Sequence, residues 1–504
     1  MVFFGVELET LMTLRRHCTN LKPVRTMSSL LLLSVLITQP IMACRVTRDD
    51  EQGKPANAET TEQRVGQFQN QVEEFRKLLK IPGMSAVIIK DQKVLWAKGF
   101  GFADQEKQIA ATPDTLYHIA SLTKTFAATL IMQLVEQGKL DLNEPMSHYS
   151  TDFKDDSVKV KHVLSHTSEG TPGDRYQYSG NRYDYLTAVL KKKYGKSFRE
   201  LIVKTFLDPL GMSGSVPSHD VVDDANKWTE VLGKDNLARY RPNLTKLAVP
   251  YTLYGDGEII RAAYPPKDVG AAAGLLSTVV DMAKYDAAID RHTFIKPETQ
   301  AIAWTPFVSN AGQPLPHGLG WFAENYHGMK LIWHYGHWGT GFSATYLKVP
   351  EKNLSLILLA NTEALSDPFY QTGGIETNVF ACTFLRVFVF ADPGNDYGCD
   401  RVSGDAVKKW LQYRREHARR AVKLDPKLFA SYVGMYQLNE RRTFVVTREG
   451  DRLFIDIPRG NISEMFAEAE GKFFLKNFDA QIRFVKDGIE IEGNGVSWKA
   501  KKVK

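Results

Sequence analysis

The stretch "HIASLTKTFAATLIMQLVEQGKLDL", from His118 to Leu142, combines a helical pattern with a chemically suggestive pair of side chains. Apolar residues recur every three or four positions from Thr125 to Leu140, and this period predicts an amphipathic helix. Gly138 near its end is typical of a helix C-terminus. Ser121 and Lys124 stand three positions apart at the start, so both side chains are expected on one helix face.

A serine and a lysine in this arrangement can form a nucleophile and its base. A hydroxyl is a weak nucleophile at neutral pH, and a neighbouring neutral amine activates it by accepting its proton. Burial lowers the pKa of a lysine because it disfavours the charged form. Backbone N–H groups at a helix N-terminus also favour negative charge that develops there. From the motif alone, the alternative is that Ser121 is a helix N-cap.

Further segments accompany this motif in a fixed order: "MSAVIIKDQKVLWAKGFGFAD" (84–104), "VKHVLSHTSEGTPG" (160–173), "YPPKDVGAAAGLLSTVVDMAKY" (264–285) and "HGLGW" (317–321). Together they resemble the serine β-lactamase-like family, which includes class C β-lactamases, D,D-peptidases and related esterases. The resemblance covers about Glu62 to Thr362. It implies an α/β (α+β) fold, a β-lactamase/transpeptidase-like domain with a mixed antiparallel sheet and a helical subdomain. It also implies a serine hydrolase that acts through an acyl-enzyme.

The family's second motif is Tyr-x-Asn, and this chain departs from it. Tyr178 stands at the tyrosine position and would share a proton with Lys124. The expected asparagine is Gly180, and Asn181 follows one position late. Either Asn181 reaches the substrate from a shifted turn, or this amide contact is absent. The alternative for Tyr178 is a core aromatic that leads a helix.

The third motif has two overlapping candidates in "WHYGHWGTGFSATYLKVP" (333–350). We favour His334, which would stabilise charge or help to protonate the leaving group, since histidine titrates near working pH. His337 is the other candidate, and otherwise lines the substrate site. The second oxyanion donor is expected to be a backbone N–H near Gly339 or Thr340, with that of Ser121 as the first.

The sequence offers no pattern for a metal, a cofactor or nucleic acid. The histidines lack a ligand spacing such as His-Glu-x-x-His, so no metal and no cofactor are predicted. His166 in "LSHTSEG" has a structural role in the resemblance. The net charge of +6 is spread thinly, without a basic stripe interleaved with aromatics, which argues against nucleic-acid binding. The expected partner is a small molecule or peptide substrate, with cell-wall peptide as one candidate.

Residues 1–43 are predicted to be a secretory signal. Basic residues precede a short apolar run, which Pro40 interrupts, and such a run is shorter than a spanning helix. Met12 and Met27 are alternative initiators. The segment "IMAC" resembles a bacterial lipobox, so Cys44 is predicted to carry a lipid; the alternative is an ordinary signal cleaved nearby. Residues 44–61 are polar and predict a flexible tether. The protein is therefore expected to be exported, periplasmic or on the outer surface, and lipid-anchored.

The remaining chain is divided into a hydrolase domain at 62–392, a linker with a helix at 393–425 and a β domain at 426–504. Short strand-like segments separated by turn residues predict a small all-β barrel or sandwich. This part resembles the lipocalin-like domain often appended to these hydrolases. Cys382 and Cys399 would form a disulfide in an oxidising compartment; the alternative is two free buried thiols.

The preferred function is an exported hydrolase of ester or amide substrates, with D-amino-acid peptides as one class. The lysine with which the family holds a β-lactam carboxylate is not evident, so an esterase or peptidase is favoured over a dedicated β-lactamase. A catalytically inactive penicillin- or peptidoglycan-binding sensor is a further alternative. The missing motif asparagine at Gly180 favours that alternative, whereas Ser121, Lys124 and Tyr178 favour the enzyme.

Overall fold

The computed structural model describes residues 59–503, apart from 224, 256, 266, 367–373, 391–397, 440–441, 458–460, 478–479 and 494–495. The predicted signal, Cys44 and most of the predicted tether lie outside the described residues. Within the described ranges, no helix has both the length and the apolar character needed to cross a membrane.

Helices and strands alternate through the first part of the chain, and strands alone fill the last part. The helices are α1 Thr61–Leu78, α2 Thr123–Glu136, α3 Val160–Leu164, α4 Gly180–Asp184, α5 Leu186–Tyr194, α6 Phe198–Ile202, α7 Ala225–Leu232, α8 Lys234–Leu244, α9 Val279–Asp290, α10 Pro297–Ala303, α11 Val379–Phe384, α12 Cys399–His417 and α13 Phe429–Tyr432. The strands are β1 Gly83–Lys90, β2 Lys93–Asp104, β3 Ile109–Ala110, β4 Tyr117–His118, β5 Tyr251–Tyr254, β6 Glu258–Arg261, β7 Leu276–Ser277, β8 Phe322–Tyr326, β9 Met329–Trp338, β10 Phe342–Val349, β11 Leu354–Ala360, β12 Gly434–Asn439, β13 Arg442–Glu449, β14 Arg452–Ile457, β15 Asn461–Ala469, β16 Lys472–Leu475, β17 Ala480–Val485, β18 Gly488–Gly493 and β19 Val496–Lys502.

A seven-stranded antiparallel sheet organises the hydrolase domain, in the order β3-β2-β1-β11-β10-β9-β8. Its central strands are buried along nearly their whole length, as expected for a sheet covered on both faces. The N-terminal strand pairs with a distant one: Met84 lies opposite Ala360. Beside this pair, the Gly83 N–H donates to Asn361 Oδ1 across 278 residues.

Each face of the sheet has its own hydrophobic core. On one face, α2 and α9 pack through Phe126 and Tyr285, whose rings stack with centroids 3.9 Å apart. On the other face, Phe68 of α1 contacts the α11 ring of Phe384. Trp410 of α12 belongs to the same second core. Helix α12, which lies in the predicted linker, therefore packs against this second core.

A disulfide and a buried ion pair hold α12 in place. Cys382 of α11 and Cys399, the first residue of α12, are bonded in the structure. Further along α12, Arg414 lies 3.1 Å from the buried carboxylate of Glu363. Among the described residues, the one group close enough to share a metal ion is this cysteine pair with Asp400, and the disulfide occupies both of its sulfurs.

The C-terminal part is a closed eight-stranded barrel in which β12 to β19 follow one another in sequence order. Its core includes Phe429 and Tyr432 from the short helix α13. The β5–β6 hairpin of the hydrolase domain contacts this part: the ring of Tyr254 stacks on Phe474 at 6.0 Å, and Glu258 pairs with Lys476 at 2.9 Å. The predicted fold class, with its small all-β barrel, is confirmed.

Candidate functional site

A tight turn presents Ser121 at the N-terminal end of α2. Ala120 has a left-handed φ of +47°, which is uncommon for a residue other than glycine. Two hydrogen bonds hold it: its N–H donates to His118 Nδ1 (3.2 Å), and its carbonyl accepts from Thr123 Oγ1 (2.8 Å). The 3₁₀ turn Ala120–Leu122 then leads directly into the helix. Ser121 thus precedes α2, where the helix dipole favours a developing negative charge.

Lys124 is placed to accept the proton of Ser121. Its Nζ donates to Ser121 Oγ at 2.9 Å and to the carbonyl of Ala272 at 2.9 Å. The side chain is 1% exposed, and this burial lowers its pKa to about 7, against the opposing attraction of Asp184. About half of the amine is therefore neutral at pH 7, so it can act as a base.

Tyr178 lines the same cleft as Ser121 and Lys124. Its ring lies 5.2 Å from Lys124 Nζ and stacks on the buried ring of His166 with a centroid distance of 4.2 Å. His166 Nδ1 accepts a hydrogen bond from the Ser179 N–H at 3.2 Å. The structure therefore brings the predicted nucleophile, base and phenol together, with His166 packed behind the phenol.

The cleft has a volume of about 550 Å³. Its walls are formed by His118, Ser121, Lys124, Tyr178, Gly180, Asn181, Asp184, Thr187, Asp268, Val269, Gly270, Ala272, Ala273, Gly274, Tyr335, His337, Trp338 and Gly339. Helix α4 begins at Gly180, and the hydroxyl of Ser179 caps it by accepting from the Arg182 N–H. Asn181 therefore enters the cleft wall from the first turn of α4, one position later than the family motif predicts.

The two candidate histidines of β9 have different surroundings. His334 is completely buried and does not belong to the cleft wall; its Nδ1 donates to the carbonyl of Tyr335 at 2.7 Å. Burial, with repulsion from His317 and Lys124, holds its pKa well below the usual range. His334 is thus a neutral side chain behind the wall.

His337 lies in the cleft wall itself. The Ser366 hydroxyl donates to the carbonyl of Gly336 at 3.0 Å, so Ser366 Oγ accepts from His337 Nδ1 at 3.2 Å. This bond orients the imidazole ring in the wall. The structure therefore places His337, and not the favoured His334, where a proton could pass to a substrate.

Strand β9 meets the Ser121 turn at Gly336. A Cβ on Gly336 would lie 2.4 Å from the carbonyl oxygen of Ile119 and 3.3 Å from the Ala120 Cβ, so only glycine allows this approach. Of the two predicted oxyanion residues, Gly339 lines the cleft and Thr340 does not. Because β9 comes so close to the Ser121 turn at Gly336, a backbone N–H beside Gly336 is favoured as the second oxyanion donor.

Sequence reasoning missed the acidic side of the cleft. Asp184 and Thr187 line the wall together with Asn181. The three residues are spaced by three positions, a pattern that places side chains along one helical face and could have identified them. Asp268 and Ala272 come from a loop more distant in sequence, and no local pattern marks them.

Comparison with known proteins identifies the family. The profile of the Beta-lactamase family matches residues 68–373. This chain belongs to the Beta-lactamase family. Penicillin-binding protein 4* of Bacillus subtilis is 22% identical over 440 residues, covering 78% of this chain and 87% of that protein. Protein flp of Staphylococcus aureus (strain MW2) is 25% identical over 331 residues, covering 56% of this chain and 60% of flp.

A solved structure supports the fold. The octameric penicillin-binding protein homologue from Pyrococcus abyssi has a TM-score of 0.53 and 22% sequence identity, and the match covers 86% of this chain and 99% of that one. The coverage extends beyond the family profile, which ends at residue 373.

Proposed function

We propose that this protein is a serine hydrolase that cleaves ester or amide substrates through an acyl-enzyme. Its family is of the serine acyl-transferase and hydrolase type. The observation that carries the proposal is the 2.9 Å hydrogen bond between Lys124 Nζ and Ser121 Oγ. It lies in an open cleft, and the lysine pKa of about 7 leaves much of the amine neutral.

The acylation step follows from this geometry. The proton of Ser121 Oγ moves to neutral Lys124 Nζ as Oγ attacks the substrate carbonyl carbon. The carbonyl oxygen becomes an oxyanion, stabilised by the Ser121 N–H and by a backbone N–H beside Gly336. One such donor stabilises the transition state by about 3 kcal/mol. When the tetrahedral intermediate collapses, the leaving group takes a proton from Lys124, through Tyr178 or His337.

Deacylation reverses these proton movements. A water molecule gives its proton to Lys124 and attacks the acyl carbon, and the bond to Ser121 Oγ breaks as Oγ regains a proton. The proposed roles are thus nucleophile for Ser121, base for Lys124 and proton relay for Tyr178. His337 is the candidate acid for the leaving group, in place of His334.

Covalent labelling tests this proposal directly. A fluorophosphonate probe should label the wild-type protein and fail to label Ser121→Ala, and a tryptic peptide containing Ser121 should carry the added mass. Ser157→Ala removes an exposed hydroxyl outside the cleft and is the matched control, which should label normally. Absence of labelling in correctly folded wild type, or persistent labelling of Ser121→Ala, would refute the assignment.

The location and substrate range belong to the same proposal. We infer export with a lipid on Cys44, supported by the signal-like N-terminus and by the Cys382–Cys399 disulfide, which suits an oxidising compartment. D-amino-acid peptides of the cell wall are one candidate substrate class in such a location. Radiolabelled palmitate should be incorporated into the wild-type protein and not into Cys44→Ser. An unlabelled wild-type protein would refute the proposed lipid anchor.

A binding function without turnover is the second candidate, favoured by Gly180 at the position of the motif asparagine. Nitrocefin, a D-amino-acid amide and a p-nitrophenyl ester distinguish the outcomes. Turnover of the ester or amide supports the hydrolase, and rapid turnover of nitrocefin alone would identify a dedicated β-lactamase. A fluorescent penicillin that remains on Ser121, without turnover of any substrate, would identify a sensor.

A further inference from the structure

Asp184 is a carboxylate held in the cleft wall by neutral groups. Its Oδ1 accepts from Thr187 Oγ1 and from the Ala272 N–H, each at 3.3 Å. A Cβ on Gly270 would lie 2.1 Å from that oxygen, so the glycine makes room for the carboxylate. Both hydrogen bonds use Oδ1, and Oδ2 remains available on an exposed side chain.

Asp184 is also close to the reacting groups. The Ala272 N–H donates to Asp184, and the carbonyl of the same residue accepts from Lys124 Nζ, which in turn donates to Ser121 Oγ. Two residues, Ala272 and Lys124, and three hydrogen bonds therefore connect the carboxylate to the nucleophile. A substrate bonded to Ser121 can extend to Asp184 within the same cleft.

The cations around the cleft do not neutralise the carboxylate of Asp184. Three nearby cations are each paired with a carboxylate, namely Arg182 with Glu169, Arg199 with Asp220, and Lys267 with Asp223. Arg199 also contacts Asp268, the second carboxylate of the wall, at 3.0 Å. No ion pair to Asp184 occurs within the described part of the chain. Lys124, with a pKa of about 7, is the one lysine or arginine of the described wall.

We propose that Asp184 binds a cationic group of the substrate, so that the enzyme prefers esters and amides carrying an amine cation to those carrying a carboxylate. This inference rests on the proposed hydrolase function. A carboxylate in the same place would meet Asp184 and Asp268, and its approach would be repelled. No arginine lines the described wall to offset this repulsion.

Isosteric ester pairs test the preference on the wild-type protein. For charge on the acyl side, p-nitrophenyl 4-(trimethylammonio)butanoate is compared with p-nitrophenyl 5,5-dimethylhexanoate, and mono-p-nitrophenyl adipate supplies an anion. For charge on the leaving group, butyrylcholine is compared with 3,3-dimethylbutyl butyrate. We expect kcat/KM to be about three- to tenfold higher for the cation in at least one pair, and this ratio should fall with added salt.

The variant Asp184→Asn assigns the preference to this residue. It should bring the cation-to-neutral ratio of kcat/KM close to one, because the charge is lost and the shape is kept. A change in the pKa of Lys124 would alter both esters of a pair alike, so the ratio isolates substrate recognition. Asp155→Asn, an exposed change outside the cleft, is the control for net charge and should keep the wild-type ratio.

The outcomes separate this inference from the proposed function. Ester turnover with equal rates within both pairs, or a preference unchanged in folded Asp184→Asn, would overturn the cationic subsite and leave the hydrolase intact. No turnover and no labelling of Ser121 in the wild type would overturn both. The wild-type comparison requires no variant, so the proposal stays testable even if Asp184→Asn does not fold.

Discussion

Replacing Lys124 by methionine is expected to abolish hydrolysis and to stabilise the protein at neutral pH. The lysine is buried, and its pKa is about 7 compared with 10.5 for an ordinary lysine. One pKa unit corresponds to 1.36 kcal/mol, so this difference corresponds to about 5 kcal/mol of folding free energy. Methionine has a similar length and removes that penalty.

The gain is reduced by the hydrogen bonds that methionine cannot make. Without Nζ, the carbonyl of Ala272 loses its 2.9 Å donor, which costs about 1–3 kcal/mol. The expected net stabilisation of Lys124→Met at pH 7 is therefore about 2–4 kcal/mol. Activity should fall by at least about a hundredfold, since a positioned general base contributes that much or more.

The sign of the effect depends on pH. Between pH 7 and 10.5 the unfolded lysine binds a proton that the folded lysine has released, so wild-type stability rises with pH across this interval. Below pH 7 both states are protonated and the penalty is constant. At pH 10.5 the penalty is nearly gone, and Lys124→Met should there be less stable than wild type by about 1–3 kcal/mol.

Urea unfolding at pH 7 and at pH 10 measures both free energies. Lys154→Met, which replaces an exposed lysine, is the matched control and should change the free energy of unfolding little at either pH. A Lys124→Met variant that is less stable than wild type at pH 7 would refute the reasoning. So would a difference that does not change between the two pH values.

Three further predictions concern the base and the attachment of helix α12. The kcat/KM for a neutral ester should fall about tenfold per pH unit below about pH 7 as Lys124 becomes protonated, and a flat profile down to pH 5 would exclude it as the base. Mass spectrometry without reductant should find Cys382 and Cys399 in one pair of linked peptides. Changing both cysteines to serine should lower the free energy of unfolding by about 3 kcal/mol. An unchanged midpoint of thermal unfolding would contradict this. Arg414→Met should destabilise the protein by about 3–5 kcal/mol in urea unfolding, because Glu363 is left buried without its cation, whereas a loss below 1 kcal/mol would show that the pair is not needed.

Local spacing explains what could be predicted in the candidate site. Ser121 and Lys124 were identifiable because three positions on a helix fix the relation of two side chains. Spacing along the chain does not decide between His334 and His337, because it does not reveal which side chain enters a cleft. The structure extends β9 through Trp338, which pairs directly with Phe342, and places His337 in the wall.

Contacts between distant segments explain what could not be predicted. Asp184 contacts the Ala272 N–H across 88 residues, and no periodicity in the sequence encodes that contact. The cysteine pairing was left open for the same reason, because it depends on how α11 and α12 pack. Whether a predicted helix serves as a linker or as core likewise depends on partners such as Glu363, which meets Arg414 only in the folded chain.

The pairing of Met84 with Ala360 at the centre of the sheet bears on how the protein is made. A nascent chain leaving the ribosome exposes its first hairpin long before the partner strand has been synthesised. Contacts so far apart in sequence also slow folding, because the loop must close before they form. The hydrolase domain should therefore acquire its structure only after translation has passed residue 361, and ribosome-bound chains that stop earlier should remain sensitive to protease.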